Sequence, residues 1–173
     1  MSKLVTAAEA VANIKDGAVV AVNSSSGLNC PDAVLAALGE RFAASGAPRD
    51  ITAIHPIAAG DMFGTKGVDH IAHKGLIRKI IGGSYPSGPT KAEPPKIWQL
   101  IGREEVAAWN FPSGIIFDMI REGAGHRPGV LTKVGMDTFV DPDREGGAMN
   151  ESARKQPIAR RETFDGEEWL YFP

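Results

Sequence analysis

The sequence predicts an α/β protein in three layers: a mostly parallel sheet with helices on both faces, plus a β-hairpin region towards the C-terminal end. Three observations lead there. Short apolar runs of strand length alternate with segments of helical spacing as far as residue 123, the pattern of parallel strands joined by helical crossovers. Several of these strands run into loops of Gly, Ser and Pro immediately before a helix. The last third abandons that rhythm and reads as strands joined by tight turns.

Thr6-Ala7-Ala8-Glu9 has the form of a capping box, in which hydroxyl and carboxylate satisfy each other's backbone amides. It opens a short helix expected to bury Ala10, Val11 and Ile14, and Asp16-Gly17 ends it. Ala18 to Val22 is a continuous apolar run, the pattern of a strand covered on both faces. The small-residue loop Asn23 to Cys30 follows. Pro31 at a first helical position, with Ala33, Val34, Leu35, Ala37 and Leu38 in helical spacing, announces a helix that ends near Ser45-Gly46. Asp50 to His55 reads as a second strand and Val68 to Leu76 as a helical stretch. Ile77 to Ile81 is a third strand, running into Gly82-Gly83-Ser84-Tyr85-Pro86-Ser87-Gly88-Pro89. Pro95 to Gly102 is read as helix, and Val106 to Phe111 as a fourth strand that meets Pro112-Ser113-Gly114. Ile115, Ile116, Met119 and Ile120 then carry helical spacing up to Gly123. Arg127-Pro128-Gly129 is a turn, and Val130 to Asp143 is mixed. Arg160 to Phe164 and Glu167 to Phe172 flank Asp165-Gly166, the signature of a tight hairpin.

With 173 residues, 43% of them hydrophobic, the chain can bury one substantial core, and a single domain spanning 1–173 is expected. The 19 basic and 21 acidic residues are scattered and the net charge is -2, so neither nucleic acid nor an anionic membrane is an expected partner. The lone Cys30 excludes an intrachain disulfide and a multi-cysteine zinc site. No stretch approaches the roughly 18 apolar residues of a membrane span, and a soluble cytoplasmic protein is expected. Pro173 directly follows an apolar strand, which reads as the edge of an incomplete domain.

In open parallel sheets ligands bind beyond the carboxyl ends of the strands, where helix N-termini and loop amides converge. Three loops hold that position: Asn23 to Cys30, Gly82 to Pro89, and Pro112 to Gly114. Their small side chains admit a ligand to backbone amides that can bind phosphate, carboxylate or a developing oxyanion, although the same residues also build ordinary tight turns. Rival motifs fall short. Gly60-Asp61-Met62-Phe63-Gly64-Thr65-Lys66 has too few residues between its glycines for a P-loop, and Thr65 separates the second glycine from the lysine. His55, His70, His73 and His126 lack a matching ligand cluster, so no metal site is expected. The spacing of Asp137, Asp141, Asp143 and Glu145 does not fit an EF-hand and reads as a solvated turn. Cys30 precedes a helix N-terminus, whose partial charge would lower a thiol pKa, but with no base beside it a structural role is expected.

The segment from Asp16-Gly17 through Pro31 resembles the opening of the family I coenzyme A transferases: an Asp-Gly or Asn-Gly, an apolar strand, a glycine-rich turn, and a Pro that opens the next helix. Asp69-His70-Ile71-Ala72-His73-Lys74-Gly75-Leu76, Trp109-Asn110-Phe111-Pro112-Ser113-Gly114 and His126-Arg127-Pro128-Gly129-Val130-Leu131-Thr132-Lys133-Val134-Gly135 are similar to the single-chain acetate/propionate/3-ketoacid branch. So are Thr138-Phe139-Val140-Asp141-Pro142 and Gly146-Gly147-Ala148-Met149-Asn150, and together the matches cover nearly the whole chain in order.

The resemblance implies the CoA-transferase/sugar-phosphate isomerase-like fold and a ping-pong reaction through a glutamate that attacks an acyl-CoA thioester. That glutamate belongs to a second domain, and this chain lacks its small-residue motif. The first domain's implied share is the acyl pocket and part of the oxyanion site: Asn23, Ser24, Ser25, Ser26 and Gly27 with Pro112, Ser113 and Gly114, and as a further pocket Gly83, Ser84, Tyr85 and Pro86. Two departures stand out. Asn23-Ser24-Ser25 replaces the family's usual Gly-Gly-Phe, and Ser113 stands where a glutamine often donates to the oxyanion. The implied partners are acyl-CoA, a small carboxylate, a C-terminal CoA-transferase domain or β subunit, and further copies in a homo-oligomer. Coenzyme A is substrate, and no permanently bound cofactor is implied. Two other readings are carried: a non-catalytic binding or assembly module of the same fold, and a sugar-phosphate isomerase, against which the Pro112-Ser113-Gly114 region and the want of an acid-base pair both count.

Overall fold

Four strands, β1 (Val19–Ala21), β2 (Ile51–His55), β3 (Ile77–Gly82) and β4 (Ala107–Asn110), lie side by side in the order β1-β2-β3-β4, every pair parallel. The computed structural model describes residues 3–61, 63–86 and 93–173. Strand alternation, interrupted by one register irregularity where Ile51 pairs with Ile77 and Thr52 with Lys79, deals the side chains to two cores. Ile51, Ala53, Ile77, Ile80 and Ala108 face one layer, which is completed by α1 (Ala7–Val11), α2 (Asp32–Ser45) and α3 (Lys96–Gly102) through Val11, Leu35, Leu38, Ile97, Leu100 and Ile101. Ile81, Ala107 and Trp109 face the other, where α4 (Ser113–Ala124) contributes Ile115, Ile116 and Met119. Behind α4 lies a three-stranded antiparallel sheet, β5 (Val130–Thr132), β6 (Arg160–Phe164) and β7 (Glu167–Phe172), in the order β5-β7-β6. Its Val130, Leu170 and Phe172 join the second core, and Phe111 meets Phe172 edge-on at 5.1 Å between ring centres.

Local signals in the sequence hold where they rest on backbone chemistry. The capping box of α1 forms, with Glu9 N donating to Thr6 Oγ1 and Thr6 N to Glu9 Oε2. Gly46 closes α2 in a left-handed conformation, φ 69°. Asp165 and Gly166 both take positive φ, 52° and 78°, as the two-residue hairpin turn requires.

Several expectations are corrected. In α1 only Val11 is fully buried; Ala10 is exposed and Ile14 half-buried, because the helix stops after five residues. Pro31 sits at the N-cap rather than inside α2, and Ala33 and Val34 face outwards while Gly39 turns in, where a side chain would strike the His70 carbonyl. Val68 to Leu76 does not form an α-helix. A single 3-10 turn, Gly67–His70, leads into irregular backbone that ends at Gly75, φ 90°; Val68, Ile71 and Leu76 are buried there as anchors, not as a helical stripe. A one-turn helix α5 (Glu151–Arg154), capped by Asn150, was not legible. The largest departure is β1: a strand expected to be covered on both faces leaves Val19 66% exposed at the sheet edge.

Candidate functional site

Parallel pairing sends the carboxyl ends of all four β1–β4 strands to one rim, and hydrogen bonds lace the loops there into a single surface. After β1, Ser25 and Leu28 exchange backbone bonds of 2.9 Å each, making a tight turn in which Ser26 takes a φ of 55°. Buried Ser24 donates its hydroxyl to Ala58 O at 2.9 Å, and Gly60 N donates to Ser26 O at 3.0 Å, tying this turn to the loop after β2. Ala58 N in turn donates to Ser84 Oγ at 2.9 Å, and Gly83 N to His55 O at 3.0 Å, tying that loop to the one after β3. Asn110, the last residue of β4, donates its amide to both Gly82 O and Gly83 O at 3.2 and 3.1 Å.

Gly83 is a tight junction on the rim. A β-carbon there would lie 2.0 Å from Pro56 O and 2.5 Å from Ser113 Oγ, so bare backbone alone lets three loops meet. Beside it α4 begins. Pro112 is its N-cap and offers no side-chain cap, and the first backbone bond into the helix is Ile116 N to Pro112 O. The amides of Ser113, Gly114 and Ile115 therefore have no acceptor among the described residues, and Gly114 has open space beside its α-carbon. Free first-turn amides and the positive end of a twelve-residue helix make a place for a carboxylate or a developing oxyanion.

His55 lies under this rim at the end of β2, fully buried, its ring edge-on to Tyr85 at 5.0 Å and against Gly82. Among the described residues neither ring nitrogen has a partner in hydrogen-bonding geometry. Burial pushes its pKa down to about 4, outweighing the opposing influence of the Ile57 backbone, so the ring is neutral at pH 7. Tyr85 donates to Trp109 O at 2.7 Å, and Trp98 Nε1 to Pro86 O at 2.8 Å; together they pin the loop after β3.

The structure divides the expected residues among two cavities and the helix start. Asn23 lines a cavity of about 310 Å³ with Ala21, Pro56, Phe117 and Ile120, on the α4 side of the sheet. Ser26, Tyr85 and Pro86 line another of about 230 Å³ with Ala58, Gly60, Asp61 and Phe63. Ser24 and Ser84 are spent on backbone contacts that join loops. Ser25 is an exposed turn residue, and Gly27 rests against the Asp61 carboxylate, 2.2 Å from where a β-carbon would stand. Pro112, Ser113 and Gly114 are the cap and first two residues of α4 rather than a free loop. Ser87, Gly88 and Pro89 lie outside the described residues.

Sequence reading missed the loop after β2. Pro56 and Ala58 are at the junction of the rim, and Asp61 Oδ1 accepts from Phe63 N, Gly64 N and Thr65 N, which hold its carboxyl below the usual range. The Asp-x-x-Gly-Thr pattern of an Asx-type turn was there to be seen within the failed P-loop. Cys30 departs from its expected direction: burial, then Asp32 and Asp61, push its thiol up, outweighing the helix terminus. Among the described residues no group of three His, Cys, Asp or Glu is placed to hold a metal. His70 pairs with Asp32 at 3.2 Å and His73 packs on Phe42; both line a cavity of about 300 Å³ between α2 and the 3-10 turn that contains none of the expected residues. No helix among the described residues is long and apolar enough to cross a membrane.

Comparison with known proteins supports the same reading. The family described as Coenzyme A transferase matches residues 4–173. The acetate CoA-transferase YdiF of Escherichia coli K12 is 29% identical over 170 residues, 98% of this chain and 30% of that protein. The caffeate CoA-transferase of Acetobacterium woodii is 33% identical over 172 residues, 99% of this chain and 31% of its own length. The crystal structure of the acyl-CoA transferase YdiF of E. coli O157:H7, a thioester complex with CoA, superposes with a TM-score of 0.83 at 29% identity, covering 97% of this chain and 33% of that one. The chain thus spans about a third of the length of the curated relatives it matches.

Proposed function

The chain belongs to the coenzyme A transferase family, and we propose that it supplies the N-terminal domain, residues 1–173, of a short-chain acyl-CoA:carboxylate CoA-transferase. In this reading its rim forms the acyl pocket and part of the oxyanion site, and the nucleophilic glutamate comes from the partner half. The observation that carries it is the start of α4, where the amides of Ser113, Gly114 and Ile115 have no acceptor among the described residues and a β-carbon at Gly114 would meet nothing. A glutamate carboxylate attacking a thioester carbonyl creates a tetrahedral oxyanion, and donors already in place stabilise it without reorganisation. CoA thiolate then leaves and returns to the glutamyl carbonyl, releasing the first carboxylate; the acceptor carboxylate repeats the sequence in reverse. Asp61 is the carboxylate lining the rim cavity, and three amides on its Oδ1 make it a poor nucleophile.

The purified 173-residue chain should bind acyl-CoA or carboxylate without turning over acetyl-CoA and an acceptor, and turnover should require a C-terminal half. Turnover by the chain alone would defeat the assignment of the nucleophile to another polypeptide. One observation favours the second reading, a binding or assembly module: the Ser113 hydroxyl lies against Gly83, 2.5 Å from where a β-carbon would stand, and so is turned into the junction of the loops. No CoA exchange after a competent C-terminal half is added would select that reading.

A further inference from the structure

Past Asp141 the chain wraps over the outer edge of β4. Asn110 N donates to Gly147 O at 2.8 Å and Met149 N to Ala108 O at 2.9 Å, while Trp109 and Ala148 face each other in an antiparallel bridge. Both ends of the wrap are fixed. Buried Asp141 takes two bonds from Arg161, and buried Asn150 donates to Ile101 O and Val106 O. Where the wrap meets β4 there is a cavity of about 160 Å³, with apolar walls from Trp109, Pro142, Ala153 and Pro157. The rim residues assigned above to the acyl pocket do not border it. Its charged walls are Arg144, Glu145 and Arg154. Arg154 gives Nε and Nη2 to Glu145 Oε2 at 3.0 and 2.6 Å. Two donors of the lining residues stay unspent. Arg144 is a cation with no side-chain partner among the described residues. Trp109 is fully buried, yet its Nε1–H has no acceptor among them either, and buried donors are ordinarily paired. Lys79 Nζ adds a positive charge 5.9 Å from the Trp109 ring centre.

We propose that this cavity binds the anion of a short-chain carboxylic acid, whose carboxylate accepts from Trp109 Nε1 and the Arg144 guanidinium while its alkyl end lies against Pro142, Ala153 and Pro157. Charge selects the class. With Arg154 neutralised by Glu145, the lining carries the single net positive charge of Arg144, which suits a monoanion, and the Glu145 carboxylate counts against a dianion. The planar guanidinium fork matches the two oxygens of a carboxylate. The apolar walls favour an alkyl group over a bare inorganic ion. Size sets the limit: about 160 Å³ is well below the roughly 300–1,000 Å³ of pockets for drug-sized ligands, so only a small acid fits. Because both ends of the wrap are tied to the core, the walls need little ordering when the ligand arrives. The proposal does not depend on the transferase reading, since no residue of the acyl pocket takes part.

The test titrates the isotopically labelled 173-residue chain with sodium acetate and sodium propionate at constant ionic strength, following its assigned indole N–H signals by NMR. The Trp109 signal should move downfield and saturate, while those of Trp98 and Trp169 stay in place. Propionate should bind up to about four-fold more tightly than acetate, the worth of one buried methylene. Arg144→Met should weaken binding about ten-fold or more, the loss of a charge-assisted hydrogen bond. Arg144 is exposed, so this variant should melt with the parent. Sodium chloride and sodium sulfate are the comparison arms. A Trp109 signal that ignores both carboxylates, as it would if water alone filled the cavity, overturns the proposal. An equal response to chloride or sulfate also overturns it, since the site would then be unselective among anions. Full-strength binding by Arg144→Met does the same.

Discussion

Replacing Gly83 by alanine tests whether the rim is assembled as described. The added carbon would stand 2.0 Å from Pro56 O and 2.5 Å from Ser113 Oγ. An ordinary carbon–oxygen contact is roughly 3.3 Å or more. The Ser113 hydroxyl can rotate away, but Pro56 O is backbone, held in a loop fixed by the Ser24 and Ser84 bonds at Ala58. Relief therefore needs the loops after β2 and β3 to part by about 1 Å, stretching Gly83 N to His55 O and the two Asn110 bonds. Overpacking of this kind costs about 1–3 kcal/mol. At this chain length that lowers the melting temperature by roughly 2–12 °C. Gly114→Ala is the internal control: its β-carbon meets nothing, and within the first turn of α4 alanine should be neutral or up to about 1 kcal/mol stabilising. Thermal unfolding followed by circular dichroism reads both. A Gly83→Ala protein that melts within a degree of the parent would show that the three loops do not meet at Gly83, and the rim as drawn would be wrong.

His55 predicts a pH dependence. The unfolded chain takes up its proton near pH 6.5, but the buried ring resists until about 4, so the contribution is full above pH 6.5 and falls by about 3 kcal/mol as pH drops to 4. Urea titrations from pH 7.5 to 4 should show this slope, and His55→Phe should flatten it; an unchanged slope refutes the neutral buried ring. Asp141 is buried, and burial alone would raise its pKa, yet two bonds from Arg161 and the amides of Asp137 and Asp143 outweigh that and lower it. Asp141→Ala should cost about 2–3 kcal/mol, seen as a lower urea midpoint, and no change would mean that the pair is not formed in solution. Asp61→Ala should speed hydrogen exchange at Phe63, Gly64 and Thr65 while leaving the melting temperature nearly unaltered, since the turn is exposed. Protection that persisted would mean those amides have another acceptor.

The fold was largely legible because its determinants are local and periodic. Ile77, Ile80 and Ile81 mark a strand and all three are buried, Thr6 to Glu9 caps a helix by its own chemistry, and Asp165-Gly166 tolerates the φ values of a tight hairpin. Where a run of apolar residues was used as separate anchors, as in Val68 to Leu76, periodicity misled, since burial at irregular positions imitates a helical stripe. The candidate site was legible at one remove. Parallel topology puts the loops after β1, β3 and β4 on one rim, but the loop after β2 was set aside with a failed phosphate motif, and its Pro56 and Ala58 prove to be where the others join.

The sequence by itself determined the layer order, the rim and the family, because strand length, turn chemistry and a succession of motifs are properties of neighbouring residues. Only the tertiary structure decided which small residues face ligand space and which merely join loops, that Ser113 is packed onto Gly83, and that β1 has an uncovered face. Those outcomes depend on distances between segments 25 to 60 residues apart, such as Ser24 to Ala58 and Gly83 to Ser113. No pattern along the chain records such distances, because they are settled when the two cores pack.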